Sequence, residues 1–305
     1  MKTFLKNLYL NSFVCSYYKN IYGKDIFQTD AVVCGQECAF DLNILTCQKD
    51  FFNTLWSLKA FYNFSVVRPR LIIYNDGSLT NYSKKILNDH FLNCEIIDRD
   101  VFILDMESFL KPYKSCLKYV KFKSFYCALK LFGPMFYTRS EHILYFDSDV
   151  LFFNKPIEML ECIERRTPFF MSDYQDAYSH SLEFLERMIN VNIIPKVNAG
   201  LFHVAKRDFT DNMELVDEYF RKVPEVGSND WRVNRHEQTL IAILLSKANG
   251  VRLGNDYQIS KQPVTDKTVC HHFVNDGSRP DFYRIGLRRL RSAGFVEEFS
   301  TRRSF

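Results

Sequence analysis

The stretch His142-Ile-Leu-Tyr-Phe-Asp147-Ser148-Asp149-Val-Leu-Phe-Phe153 sets two carboxylates inside an apolar run, with a single serine between them. A short apolar run bounded by polar residues predicts a buried strand of the kind found in parallel sheets. In an extended segment, residues i and i+2 share a side, so Asp147 and Asp149 are expected to project together. Two anions beside a core repel each other and lose hydration, and a cation relieves both costs. A hard divalent metal, Mg²⁺ or Mn²⁺, is the expected partner. The alternative is a strand end whose aspartates simply face water, but carboxylates so tightly flanked by aromatics are uncommon in plain loops.

The segments before this run alternate in type. Asp41–Thr46 reads as a first strand, and Asp50 is placed to cap the helix that follows. Phe51, Leu55, Leu58 and Tyr62 then mark one face of that helix. Leu71–Tyr74 is a second strand, closed by the turn signal Asn75-Asp76-Gly77-Ser78. A helix near Ser83–Phe91 leads to a third strand at Glu95–Asp98. Such alternation predicts a right-handed, doubly wound α/β sheet. Ligands of such sheets bind beyond the carboxyl ends of the strands, where Asp76 and the Asp147/Asp149 pair are expected. A long helix over Lys111–Phe132, ended by Gly133-Pro134, is expected to deliver the chain to the aspartate strand.

Asn154-Lys155-Pro156 then predicts a turn into a short helix, and Pro168–Asp173 a strand. A helix near Leu182–Asn190 precedes Val197–Val204, read as a turn and a buried strand. Met213, Val216 and Phe220 mark an amphipathic helix, and a polar loop runs from it to Glu237. A helix continues from there to Ala248, and Val269–Val274 is the final apolar strand. No repeat or low-complexity linker divides the chain, so one domain is expected over residues 39–305. Residues 1–38 read as a helical or irregular leader whose aromatics suit packing on the domain, a partner or a membrane surface.

Bulk properties narrow the class. The 305 residues carry 47% hydrophobic and 25% charged residues with 29 phenylalanines, enough for a large core in a soluble chain. A net charge of +4 is too small to indicate nucleic acid. No apolar stretch reaches the roughly eighteen residues of a membrane span, and the amino terminus lacks a signal-peptide core. Nine cysteines cannot all pair and show no zinc or disulfide framework, so a reduced, cytoplasmic protein is the simplest expectation.

An Asp-x-Asp strand end, a Thr-Cys strand end, an Asn-Asp-Gly-Ser turn and a later Asn-Ala-Gly segment, in this order, resemble the GT-A-fold glycosyltransferases. The likeness lies with family 8, the glycogenin and bacterial galactosyltransferase type, and related bacterial transferases, over about residues 39 to 290. It implies a Rossmann-like mixed sheet flanked by helices, a nucleotide-sugar donor (a UDP-sugar), Mn²⁺ or Mg²⁺, and transfer with retention. The acceptor implied is a glycan, a lipid-linked glycan or a protein.

The resemblance also implies roles. Asp147 and Asp149, with Ser148 between them, would hold the metal that bridges the donor diphosphate, and His272 would complete its shell. Lys130 would touch the donor's phosphates or sugar. Thr46 and Asp76 would frame base and ribose, and Asn198 would hydrogen-bond the donor sugar. Glu237-Gln238 stands where family 8 usually has Asp-Gln, beside the reacting carbon. Arg279-Pro280 resembles the Lys-Pro after the late histidine, but one residue further on and with no Trp following. The choice of His272 over His271 rests on the His-Phe dipeptide, since the two project to opposite sides of a strand.

Each residue also has a plainer reading. Lys130 would be a solvated helix residue, Asn198 a turn former and Glu237 a helix amino-terminal charge. Thr46 and Asp76 would cap turns, and the carboxy-terminal arginines would form a solvated face. Two other functions share the motif. Haloacid-dehalogenase-type phosphatases use the first Asp of an Asp-x-Asp strand as nucleophile, but neither Gly227-Ser-Asn-Asp230 nor Gly254-Asn-Asp256 fits their second motif. A non-catalytic nucleotide-sugar-binding module would be expected to lose a metal ligand, and none is lost.

Overall fold

Alternate residues of the central strands enter different cores, as strand geometry requires when both faces of a sheet are covered. Leu144 and Phe146 join one buried cluster while Ile143 and Tyr145 join the other, and Leu71/Ile73 against Ile72/Tyr74 repeat the division. The computed structural model describes residues 13–36, 38–121, 126–223, 235–260, 262–274 and 279–301. Its strands are β1 Val32–Val33, β2 Phe40–Thr46, β3 Leu71–Asn75, β4 Phe91–Leu92, β5 Glu95–Asp98 and β6 His142–Phe146. They continue with β7 Val150–Phe152, β8 Phe169–Ser172, β9 Val197–Ala205, β10 Val251–Arg252, β11 Tyr257–Ile259 and β12 Cys270–His272.

Seven strands form the main sheet in the order β10-β8-β9-β6-β2-β3-β5. Only β9 runs against its neighbours, β6 and β8. The carboxyl ends of β2, β3, β5, β6 and β8 therefore share one edge. A smaller sheet, β11-β12-β7, stands beside it. The Phe51–Ser65 helix joins the two sheets: the Phe61 ring lies 5.4 Å from both Phe146 on β6 and Phe152 on β7. These contacts bracket the Asp147–Asp149 corner on both sides. Residues 13–36 also pack on this helix, where Trp56 Nε1 donates to the Gly23 carbonyl at 3.0 Å. Residues 1–12 and 37 of the leader lie outside the described residues.

The expected long helix over Lys111–Phe132 is not found. Helices instead cover Arg99–Phe109, Lys114–Val120 and Cys127–Tyr137, with residues 122–125 outside the described residues. Gly133 and Pro134 do not end the last helix but lie inside it. Gly133 is there for packing: a Cβ at this position would sit 2.6 Å from the Tyr74 ring of β3. Pro134 lies only a turn from the helix end, where the amide it lacks leaves one carbonyl without an intrahelical partner. Among the described residues, no helix is long and apolar enough to cross a membrane.

Candidate active site

Asp147 and Asp149 do not share a strand. β6 ends at Phe146, and Asp147-Ser148-Asp149 form the turn into β7, closed by the Val150 N–H donating to the Asp147 carbonyl at 3.1 Å. The carboxylates converge because the chain reverses from the large sheet into the small one, which corrects the expectation from strand alternation. Ser148 is buried, and its carbonyl accepts from Ser57 Oγ at 2.7 Å.

The small sheet brings the histidine. β12 pairs antiparallel with β7, setting His272 opposite Val150, and the Phe273 N–H donates to the Asp149 carbonyl at 3.0 Å. His272 Nε2 lies 3.1 Å from Asp149 Oδ1 and 3.7 Å from Asp147 Oδ2. His271 faces away, with Nε2 3.0 Å from the Gln262 carbonyl and its ring 4.3 Å from that of Phe273. One ligand atom from each of Asp147, Asp149 and His272 can be chosen so that all lie within 4.8 Å of one another.

A second charged group adjoins the first. Lys130, on the Cys127–Tyr137 helix, places Nζ 3.0 Å from Asp147 Oδ2 and 2.8 Å from Glu237 Oε1. Glu237 stands in the first turn of the His236–Lys247 helix, which packs on β9. Tyr145 lies beneath, with its ring 5.0 Å from Lys130 Nζ and its hydroxyl donating to Asp147 Oδ1 at 2.9 Å. Lys130 and Glu237 are thus buried partners and not a solvated lysine and a helix-end charge.

Burial alone would lower the Lys130 ammonium, but the Asp147 and Glu237 carboxylates hold it above its ordinary range. Burial raises Glu237, and the lysine offsets that only in part. Burial also works against the charged forms of Asp149 and His272, yet each holds the other charged, so the carboxyl is lowered and the imidazole raised.

The remaining expected residues ring a cleft of about 730 Å³ over the carboxyl edge. Thr46 lines it, though its hydroxyl shares a 2.5 Å hydrogen bond with Thr54 Oγ1. Asp76 lines it too, and its Oδ1 accepts from the Ser78 N–H at 2.9 Å. Arg279 lines it and reaches Asp50 Oδ2 at 3.3 Å. Gln238 donates to the Val197 carbonyl at 3.2 Å. Asn198 lies buried on β9 just before a bulge, where Ala199, Gly200 and Leu201 intervene between register partners while Phe170 and Met171 of β8 are consecutive. A bulge of this kind re-aims side chains.

Asp173 was not anticipated, although it follows an apolar strand at the same edge, as Asp76 and Asp147 do. It lines the cleft and accepts from Asn198 Nδ2 at 2.9 Å. Gly227–Asp230 lies outside the described residues. Gly254 donates its N–H to the Glu158 carboxylate at 3.0 Å, and the Gly254–Asp256 segment does not line this cleft.

No protein-family model matches the chain, and no curated protein matches its sequence. Among solved structures it is similar to mouse xyloside xylosyltransferase 1 in its apo form, at 10% identity and a TM-score of 0.50, over 78% of this chain and 98% of that one. It is also similar to the bifunctional glycosyltransferase WbbM in its apo form, at 11% identity and a TM-score of 0.51. That match covers 89% of this chain and 53% of the other, so this chain spans about half of WbbM's length. The fold is of the GT-A type: a mixed, mostly parallel sheet flanked by helices.

Proposed function

We propose that this protein is a metal-dependent glycosyltransferase that moves a sugar from a UDP-sugar to a hydroxyl acceptor on a glycan, lipid-linked glycan or protein. The observation that carries this reading is the convergence of Asp147, Asp149 and His272, from two sheets, at the edge where doubly wound folds bind ligands. The transferase identity of the two solved structures with this fold supports it.

The donor set fits a divalent cation. Two carboxylates with one imidazole suit Mn²⁺, while an all-oxygen set would favour Mg²⁺. When bound, such an ion neutralises the charge that develops on a diphosphate leaving group. The chain's own residues do the rest. Lys130 supplies a fixed positive charge beside the metal ligands, and it needs no reorganisation as charge develops. Thr46 and Asp76, at the ends of β2 and β3, stand where a base and ribose would lie against the sheet edge. Arg279, paired with Asp50, offers a second cation in the cleft lining.

Retention is favoured over inversion on the resemblance to family 8, and the engagement of the two buried carboxylates Glu237 and Asp173 agrees with it, since a base must be free to take the acceptor's proton. Glu237 is engaged by Lys130, and Asp173 by Asn198 and the Tyr174 N–H.

The test is turnover of a panel of nucleotide-sugars with Mn²⁺ present, followed by NMR of the first-formed product. Mn²⁺-dependent hydrolysis or transfer from a UDP-sugar, lost on chelation, is expected. Asp147-dependent release of phosphate from an aryl phosphate, with no nucleotide-sugar turned over, would place the protein among phosphatases instead.

A further inference from the structure

We propose that Asn198 is a positioning residue that fixes the tautomer of His272, so that Nε2 is the nitrogen presented to the metal. The inference rests on the metal reading above but concerns the chain's own hydrogen bonds.

The amide of Asn198 has one orientation. Its Oδ1 lies 2.9 Å from the Gly200 backbone nitrogen, which can only donate, so oxygen and not NH₂ must face it. The same Oδ1 lies 2.9 Å from His272 Nδ1. An amide oxygen carries no proton, so Nδ1 must donate. A ligating ring must be neutral, so with a metal bound the lone pair would fall on Nε2, the atom that faces Asp149 Oδ1 and Asp147 Oδ2. The amide is held from its other end as well, because Nδ2 donates to Asp173 Oδ2 at 2.9 Å. Asp173 in turn accepts the Tyr174 N–H on Oδ1 at 2.7 Å. A backbone-anchored chain thus runs from Tyr174 through Asp173 and Asn198 to His272. Asn198 and His272 are each 2% exposed, so water competes little for these bonds.

This differs from the role the family resemblance implies. Both acceptor directions of Oδ1 are used within the protein, and one of the two Nδ2 hydrogens is committed to Asp173. A donor sugar bound directly by Asn198 would have a single hydrogen left to meet. Metal-ligating histidines generally carry such a partner on the second nitrogen, and losing it commonly costs about 10- to 100-fold in metal affinity.

The experiment compares Asn198→Ala, His272→Ala and the double variant for Mn²⁺ affinity in the presence of UDP, with free Mn²⁺ read by electron paramagnetic resonance. Asn198→Ala should weaken Mn²⁺ about 10- to 100-fold in the wild-type background and change it little once His272 is gone. An equal loss in both backgrounds would show that Asn198 acts elsewhere, and the proposal would fall. A second arm needs no metal: ¹H–¹⁵N NMR of the metal-free protein should show a His272 Nδ1–H that is held by Asn198 Oδ1 and slow to exchange with solvent. Asn198→Ala should speed that exchange, and an unchanged exchange rate would overturn the proposal. If the wild-type protein binds no Mn²⁺, the metal reading fails, and the NMR arm still decides the role of Asn198. Should Asn198→Ala fold poorly, the exchange Asn198→Asp with Asp173→Asn keeps an acceptor on His272 and a donor between the two positions. It should restore both readouts, and a protein that folds without restoring them would count against the assignment.

Discussion

Lys130 Nζ lies 2.8 Å from Glu237 Oε1, and the two side chains are only 8% and 6% exposed. Charges so far from water are tolerable only as partners, and removing one leaves the other stranded. Lys130→Met should therefore cost about 3 kcal/mol in urea unfolding, the usual scale for breaking a buried pair. Glu237→Gln in the same chain should return most of that loss, although Asp147 would still lack its lysine. A double variant no more stable than Lys130→Met would show that the two groups are not coupled.

Glu237→Gln alone keeps the size of the side chain and removes its charge. If Glu237 stands beside the reacting carbon, as the family resemblance implies, kcat should fall about 100-fold while donor affinity stays within a few-fold of normal, the pattern of an interaction realised mainly in the transition state. Titration with UDP-sugar and steady-state kinetics separate the two effects. Unchanged turnover would return Glu237 to a purely structural partner of Lys130.

The sheet and the edge that carries the cleft were legible because they depend on local signals. The apolar runs at Leu71–Tyr74 and His142–Phe146 are strands buried on both faces, and the carboxylates after them mark the strand ends. The turn at Asp147–Asp149 was not legible, since β6 and β7 read as one continuous run and their separation depends on pairing with β9 and β12. Gly133-Pro134 misled for a related reason. Glycine and proline are the usual signs of a helix end, but the glycine answers to the Tyr74 ring, 59 residues away in the chain. The partners of Asn198 and the part played by Asp173 were likewise hidden, because they arise from a bulge in β9 and a strand that is paired through it.

Burial of histidines away from the cleft gives the protein an acid sensitivity. The His203 ring is fully buried, stacked 5.0 Å from His142 and 5.1 Å from Phe169, and burial lowers its pKa from 6.5 to about 3. His90 and His271 are lowered to about 4, again chiefly by burial. Between those values and 6.5, the unfolded chain binds more protons than the folded one, so stability must rise with pH across that window and fall as acid is added. A single such histidine is worth about 3 kcal/mol between pH 6.5 and 4. Urea midpoints measured over that range should drop steeply, and His203→Phe should flatten the slope by about one proton. An unaltered slope in the variant would mean that His203 is not held neutral by the fold.

Gly200 provides the sharpest test of how the two sheets make the site. Its backbone is not in the left-handed region, so conformation does not demand glycine there. The His272 ring does. A Cβ on residue 200 would lie 2.2 Å from His272 Cε1, 2.4 Å from Nδ1 and 2.7 Å from Asn198 Oδ1. The Gly200 carbonyl is also held, accepting the Asp147 N–H at 2.9 Å, so the backbone cannot retreat without moving the aspartate turn. Gly200→Ala should then displace the imidazole, weaken Mn²⁺ binding in the presence of UDP at least about tenfold, and cost about 1–3 kcal/mol of stability through overpacking. Removing the ring supplies the control. In a His272→Ala background only the 2.7 Å contact with Asn198 Oδ1 remains, so the stability cost of Gly200→Ala should shrink without vanishing while Mn²⁺ binding stays weak. Calorimetry on the four proteins reads both quantities, and a Gly200→Ala protein that binds Mn²⁺ as tightly as the wild type would refute the packing of His272 against this strand.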